Sequence, residues 1–254
     1  MRKIVIANQK GGVAKTTTAV NLSAGLALKG RRTLLIDMDP QANATFAVLG
    51  PHKPEVSVYD LLIKDRPFIE VVQRTPQPLL DILPSDINLA GAEVELISRV
   101  GGQTLLGTRL FEASDELLYD YIIIDAPPSL GFLTINALAA ADEVFIPVST
   151  SIFALNGINM LENTINQVRR SLNRPNLKVT GVLCTMFDNT NVGRDVVAAT
   201  QEHFKEVMFQ TIIPKNIKLE EAHSRVESIF TYANDSKGAE AYRDLVEEVM
   251  NRES

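Results

Sequence analysis

The sequence holds one cysteine, Cys184, in 254 residues. A single thiol excludes an internal disulfide, a Cys-x-x-Cys zinc site and a four-thiolate cluster within one chain. Long hydrophobic runs are missing too: no apolar stretch reaches the roughly 18 residues that would mark a membrane span. The run after Met1-Arg2-Lys3, Ile4-Val5-Ile6-Ala7, is too short for a signal-peptide core and has no cleavage site behind it. A cytoplasmic protein is expected. Basic charge is scarce: 25 Lys and Arg stand against 31 Asp and Glu, a formal net charge of −6. Taken whole, that balance weighs against a nucleic-acid binder. No repeat or low-complexity segment stands out, and the composition is ordinary for a globular protein. The length suits one doubly wound α/β domain over residues 1–254.

What is present is alternation. Apolar runs occur at Lys3–Ala7, Thr33–Ile36, Leu79–Leu83, Tyr121–Ile124, Glu143–Val148 and Val179–Cys184. They are rich in Ile, Val and Leu on both faces, as strands of a helix-covered parallel sheet are. Amphipathic segments lie between them, at Thr17–Lys29, Ile87–Val100, Thr134–Ala141, Leu155–Leu172, Val192–Phe204 and Gly238–Asn251. The order predicts an α/β fold: a three-layer, mostly parallel, doubly wound sheet. Gly50–Pro78, with its five prolines, reads as short helices and surface loops.

The segment Ile4–Thr18 reads as strand, glycine loop and helix. Such a loop sets backbone N–H groups and a helix N-terminus around a polyphosphate. Lys15 would reach the β- and γ-phosphates, and the Thr16 hydroxyl would hold Mg²⁺. The usual pattern G-x-x-x-x-G-K-S/T is not met, because its glycine positions are Gln9 and Ala14. The chain carries the deviant Walker A pattern K-G-G-x-x-K-S/T instead, as Lys10, Gly11, Gly12, Lys15 and Thr16. Two further strings end apolar strands in acids: Asp37-Met38-Asp39-Pro40-Gln41 and Asp125-Ala126-Pro127-Pro128. Open α/β sheets build their sites at such strand ends. Tyr121–Asp125 fits the Walker B pattern, with Asp125 placed to hold Mg²⁺ through a water. By itself, a strand-end aspartate can equally cap a turn.

Together these strings resemble the ParA/MinD branch of P-loop ATPases and, from Met1 to about Met250, its chromosomal ParA (Soj) group. The resemblance implies an ATPase with ATP and Mg²⁺ as cofactors. It implies that Lys10 crosses a sandwich dimer to touch the phosphates of the other subunit, supplying a cation in trans as an arginine finger does. A small-molecule kinase or synthetase would have no use for that lysine. Nucleotide binding falls to Lys10, Gly11, Gly12, Val13, Ala14, Lys15, Thr16 and Thr17, with Met186, Pro214 and Asn216 at the adenine. Asp39 matches the residue that positions the attacking water, and joins Thr16 and Asp125 about the metal. Asp37 supports either the loop or the metal shell. The catalytic candidates are Lys10, Lys15 and Asp39. Ala14 stands where the family carries glycine, which costs little if the backbone is right-handed and about 1–2 kcal/mol if φ is positive.

The resemblance also implies non-specific binding of double-stranded nucleoid DNA by the ATP-bound homodimer. Residues 163–225 hold nine basic and six acidic side chains, a net +3 that leaves −9 elsewhere. That asymmetry suits a local phosphate-binding patch on an acidic protein. Lys218 sits where the family carries a DNA-contacting basic residue, and Arg194, Lys215 and Arg225 complete the candidate face. The family's other DNA-contacting arginine has no counterpart between Asp188 and Thr190. Its Glu-Ala-Pro-Ser-x-Gly string becomes Glu221-Ala222-His223-Ser224-Arg225-Val226. A ParB-like or other adaptor would stimulate hydrolysis, and the cargo would be a chromosome, a plasmid or a protein assembly. The alternative is a MinD-like membrane-associated positioning ATPase, which uses a basic C-terminal helix on lipid. Here the tail Ala241–Ser254 is amphipathic but acidic, and is expected to pack on the body. Iron–sulfur relatives need paired cysteines, and Cys184 reads as core. The phosphate loop begins within ten residues, so the helix-turn-helix domain of longer plasmid ParA proteins is not expected.

Overall fold

The computed structural model describes residues 1–114, 118–150 and 158–252. The strands are β1 (Arg2–Ile6), β2 (Thr33–Asp37), β3 (Gln73–Arg74), β4 (Leu80–Leu83), β5 (Tyr121–Asp125), β6 (Glu143–Ser149) and β7 (Lys178–Thr185). They form a seven-stranded sheet in the order β3-β4-β2-β5-β1-β6-β7. The short edge strand β3 runs antiparallel to β4, and the other pairs are parallel. The helices that cover the sheet are α1 (Lys15–Leu28), α2 (Asn43–Leu49), α3 (Val58–Ile63), α4 (Phe68–Val71), α5 (Leu89–Ser98) and α6 (Leu105–Glu112). They continue with α7 (Phe132–Ala140), α8 (Ile158–Ser171), α9 (Asn191–Phe204), α10 (Ile217–Ser224), α11 (Ile229–Tyr232) and α12 (Lys237–Asn251).

Successive strand residues point to opposite faces, and each face meets its own core. Val5, Leu34, Ile36, Ile122, Ile124 and Ile146 pack with residues of α3 to α9. Ile4, Ile6, Leu35, Ile123 and Phe145 pack with α1, α2 and α10 to α12. This is the expected three-layer, mostly parallel, doubly wound sheet. Burial on both faces is why its strands read as unbroken apolar runs.

α12 buries Ala241, Tyr242, Leu245, Val246 and Val249 and exposes Asp244 and Glu247. Its apolar face lies against α1, so the acidic tail helix packs on the body. Cys184 is wholly buried in β7.

Some elements differ from expectation. α6 and α10 have no counterpart among the amphipathic segments, because each is a short helix that buries only two residues. Ile213–Asn216, which the sequence places after an apolar strand, does not follow a strand of the sheet. That stretch is joined to the β7 region by the isolated bridge Phe187↔Pro214, and the chain just before it by Val182↔Met208. The helix expected over Leu155–Leu172 is observed as α8, and its residues 155–157 lie outside the described residues.

Candidate active site

β2, β5 and β1 are adjacent and in register: Asp37 pairs with Asp125, and Asp125 with Ile6. Their carboxyl ends therefore finish together, the position at which open α/β sheets bind ligands. The chain leaving β1 turns over these ends into α1. Asn8 pins the turn to β6 by donating from Nδ2 to the Pro147 carbonyl at 2.8 Å, while its Oδ1 accepts the Lys10 N–H at 3.0 Å. The Thr185 hydroxyl at the end of β7 donates to the Val13 carbonyl at 3.2 Å. Gly12 and Ala14 have φ of +68° and +61°. Of the two possibilities for Ala14, the left-handed one is adopted. α1 follows at once with no side-chain N-cap. A helix start left uncapped in this way offers its first-turn N–H groups to an anion.

Lys15 is buried, and its ammonium donates to the Lys10 carbonyl at 3.1 Å. Burial pulls its pKa down, and the charges of Asp125 and Asp39 pull the other way. The Thr16 hydroxyl donates to Asp125 Oδ2 at 2.7 Å. Burial, with Asp37 beside it, pushes the Asp125 carboxyl well above the usual carboxylate range, against the pull of Thr16 and Lys15. Its Oδ1 is buried and has no hydrogen-bond partner among the described residues. An orphaned buried carboxylate oxygen is costly. Beside a threonine hydroxyl it makes a hard-oxygen donor set of the kind Mg²⁺ takes, so these residues fit that ion.

Asp37 is also wholly buried. Its Oδ1 accepts the Asp39 N–H at 3.1 Å, and its Oδ2 accepts the Thr45 N–H at 2.8 Å and the Thr45 hydroxyl at 2.7 Å. Burial raises the Asp37 carboxyl to about 6, with the Thr45 bonds pulling downward. These bonds describe a support for the loop. Asp39 is 8% exposed and accepts the Gln41 N–H at Oδ1, 2.9 Å away, closing an Asx turn.

Asn8, Thr45 and Thr185 escaped the sequence reading because a lone Asn or Thr carries no motif. The usable signal is place. Each stands at a strand end or in the first turn of a helix among buried neighbours, where a polar group must find a partner.

Met186, Pro214 and Asn216 gather beyond β7. The Thr150 hydroxyl donates to the Met186 carbonyl at 3.2 Å, the Phe187 N–H to the Ile213 carbonyl at 3.1 Å, and Asn216 Oδ1 caps α10 at 2.9 Å. Through Thr185 and Val13 this cluster adjoins the phosphate loop. Arg194, Lys215, Lys218 and Arg225 are all exposed. The turn at 187–190 brings the first two together. The Lys215 N–H donates to the Phe187 carbonyl at 2.9 Å, and Arg194 donates to the Asn189 carbonyl at 2.9 Å. Lys218 and Arg225 stand at opposite ends of α10. The Lys218 ammonium pairs with Glu221 at 2.8 Å and lies 5.7 Å from the Tyr232 ring centre.

This geometry can be set beside known proteins. A family model described as an AAA domain matches residues 1–179. A second, for 4Fe-4S iron sulfur cluster binding proteins of the NifH/frxC family, matches residues 105–254. A cluster does not fit here: the one cysteine, Cys184, is wholly buried, and burial pushes its thiol up to about 11. Among solved structures, cobyrinic acid a,c-diamide synthase from Mycobacterium smegmatis, with bound ADP and magnesium, superposes with a TM-score of 0.84 at 35% identity. The match covers 99% of this chain and 95% of that one. The chromosome partitioning protein ParA of Myxococcus xanthus is 46% identical over 100% of this chain and 89% of its own. The sporulation initiation inhibitor protein Soj of Bacillus subtilis is 48% identical over 249 residues, 97% of each chain. With that likeness running the length of the fold and through the phosphate loop, the chain belongs to the ParA/Soj family of P-loop partition ATPases.

Proposed function

We propose that residues 1–254 are one P-loop ATPase domain working as an ATP-dependent sandwich dimer. The dimer binds nucleoid DNA without sequence preference and segregates or positions a chromosome, plasmid or protein cargo. The observation that carries this reading is the deviant loop seated over Asp125, with Thr16 on one carboxylate oxygen at 2.7 Å and the other oxygen orphaned.

In this reading Thr16, Asp125 and Asp39 hold Mg²⁺, which neutralises charge on the phosphoryl oxygens. The backbone of Lys10–Thr17 cradles the phosphates, and Lys15 binds the β- and γ-oxygens. Lys10 of each subunit acts on the nucleotide of the other, so dimerisation depends on ATP. Asp39, its backbone held by Asp37, orients the attacking water. Met186, Pro214 and Asn216 line the adenine pocket. Arg194, Lys215, Lys218 and Arg225 form the DNA face. A ParB-like or other adaptor stimulates hydrolysis, and the protein works in the cytoplasm at the nucleoid. The partition relatives support this. So does α12, whose apolar face is committed to α1 and whose exposed face is acidic, a poor match for a lipid-binding helix. Among the described residues no helix is long and apolar enough to cross a membrane.

Pelleting with DNA and with anionic vesicles, with and without ATP, tests the reading. ATP-dependent pelleting with DNA alone is expected, and ATP-dependent pelleting with vesicles would overturn it in favour of membrane positioning. Lys10→Ala should keep nucleotide binding and lose the dimer. Asp39→Ala should hold the ATP dimer on DNA.

A further inference from the structure

A buried polar cluster beside the assigned residues centres on Thr45, in the first turn of α2. Thr45 is 2% exposed, and its hydroxyl is used twice. It donates to Asp37 Oδ2 at 2.7 Å and accepts the Ser85 N–H at 2.8 Å. The Thr45 N–H adds another bond to the same Asp37 oxygen at 2.8 Å. The other Asp37 oxygen holds the Asp39 N–H at 3.1 Å. Ser85 lies just past β4, so an unbroken line of buried bonds runs from β4 through Thr45 and Asp37 to the backbone of Asp39. The loop it anchors doubles back sharply: Ala42 has φ of +53°, and its N–H donates to the Asp39 carbonyl at 2.9 Å.

We propose that Thr45 is a positioning residue for ATP hydrolysis, its hydroxyl fixing Asp37 and, through Asp37, the place of Asp39. The proposal rests on the role given to Asp39 above. Loss of the hydroxyl strips Asp37 of one of its donors and leaves the Ser85 N–H without its acceptor. Buried partners left unpaired shift until they find new ones, and the turn that carries Asp39 is held to β2 through Asp37. Nucleotide affinity should be spared. It rests on the loop from Lys10 to Thr17 and on Met186, Pro214 and Asn216, none of which the Thr45 bonds touch. The loss belongs in kcat, where misplacement of a reacting group by about 1 Å can cost on the order of 100-fold.

The test compares Thr45→Ser with Thr45→Ala, which delete the same methyl group and differ only in the hydroxyl. Hydrolysis and the affinity for a non-hydrolysable ATP analogue are measured for both, with Asp39→Ala alongside. Thr45→Ser should keep kcat within about threefold of wild type, and Thr45→Ala should lose about tenfold or more, while both bind the analogue within about threefold. Equal kcat for the two variants, or an affinity that falls in step with kcat, overturns the proposal. Should the alanine variant not fold, Thr45→Val, isosteric with threonine, replaces it in the same comparison. Asp39→Ala separates the two levels. If it hydrolyses ATP at the wild-type rate, the reading of Asp39 has failed. If it is inactive while Thr45→Ala is unimpaired, only the role of Thr45 has failed.

Discussion

Two residues adopt left-handed backbone where the resembling family carries glycine: Ala14, with φ of +61°, and Val226, with φ of +59°. At Val226 both bonds of a Schellman ending remain, from the Glu227 N–H to the Ala222 carbonyl at 3.1 Å and from the Val226 N–H to the His223 carbonyl at 3.2 Å. At Ala14 the strain costs about 1–2 kcal/mol; glycine would remove it but lose about 0.4–1 kcal/mol through its greater freedom when unfolded. Ala14→Gly should therefore stabilise the protein by about 0.5–1 kcal/mol, a rise of about 2 °C in Tm. A differential scan showing a lower Tm would mean that the alanine methyl packs usefully. The sequence displayed both substitutions without revealing which way the backbone turned. It likewise displayed Lys15 and Thr16, as a motif between β1 and α1, and Asp125, as the acid that ends an apolar strand. Thr45 and Asn8 were hidden because they act through contacts set by the fold, Thr45 with Ser85 and Asn8 with Pro147.

Among the elements, α1 is packed closely against two other helices. It begins at the phosphate loop and is clamped at its middle by α11 and α12. A Cβ on Gly25 would stand 2.5 Å from Val246 Cγ2 and 3.1 Å from the Phe230 ring. Glycine in a helix interior costs about 1 kcal/mol against alanine, and here it permits the close approach. Gly25→Ala should thus destabilise by about 1–2 kcal/mol, since overpacking outweighs the propensity gained. In a Val246→Ala background the same substitution should turn neutral or stabilising, because the clashing methyl has gone. Chemical denaturation of the four proteins of that cycle decides it, and a Gly25→Ala cost unchanged by Val246→Ala would place the strain elsewhere. Legibility at this scale followed burial. The long two-faced strands declared themselves by their unbroken apolar runs. α6 buries only Leu106 and Leu110, and α10 only Leu219 and Ala222. Two contacts give a pattern too thin to show a helical period. β3, with two residues, is held by its partner strand β4 rather than by any pattern of its own.

For the whole molecule, the net charge of −6 divides into +3 over residues 163–225 and −9 elsewhere. The local excess is smaller in effect than its count. Arg174 is committed to Asp142 at 3.0 Å and to the Ala141 carbonyl at 3.0 Å, and Lys218 is shared with Glu221 at 2.8 Å. One subunit therefore offers DNA a weak patch on a repelling body, and two patches joined by ATP are what the proposed DNA face requires. Binding of this kind is counterion release, so its logarithm falls linearly with the logarithm of salt, by about 0.9 for each phosphate neutralised. Lys218→Ala removes one contact per subunit, so in the dimer the salt slope should drop by about 2. Glu221→Gln should act the other way. An exposed pair three residues apart on a helix is worth only about 0.3–0.5 kcal/mol, so releasing Lys218 from it should tighten DNA binding by about twofold per subunit at low salt. Titrations of the ATP-bound protein on a random-sequence duplex at several salt concentrations measure both. A Lys218→Ala slope equal to wild type would remove Lys218 from the DNA face. A weaker Glu221→Gln would show that the carboxylate holds α10 and Tyr232 in a shape the DNA needs, since Glu221 also accepts the Tyr232 hydroxyl at 2.8 Å.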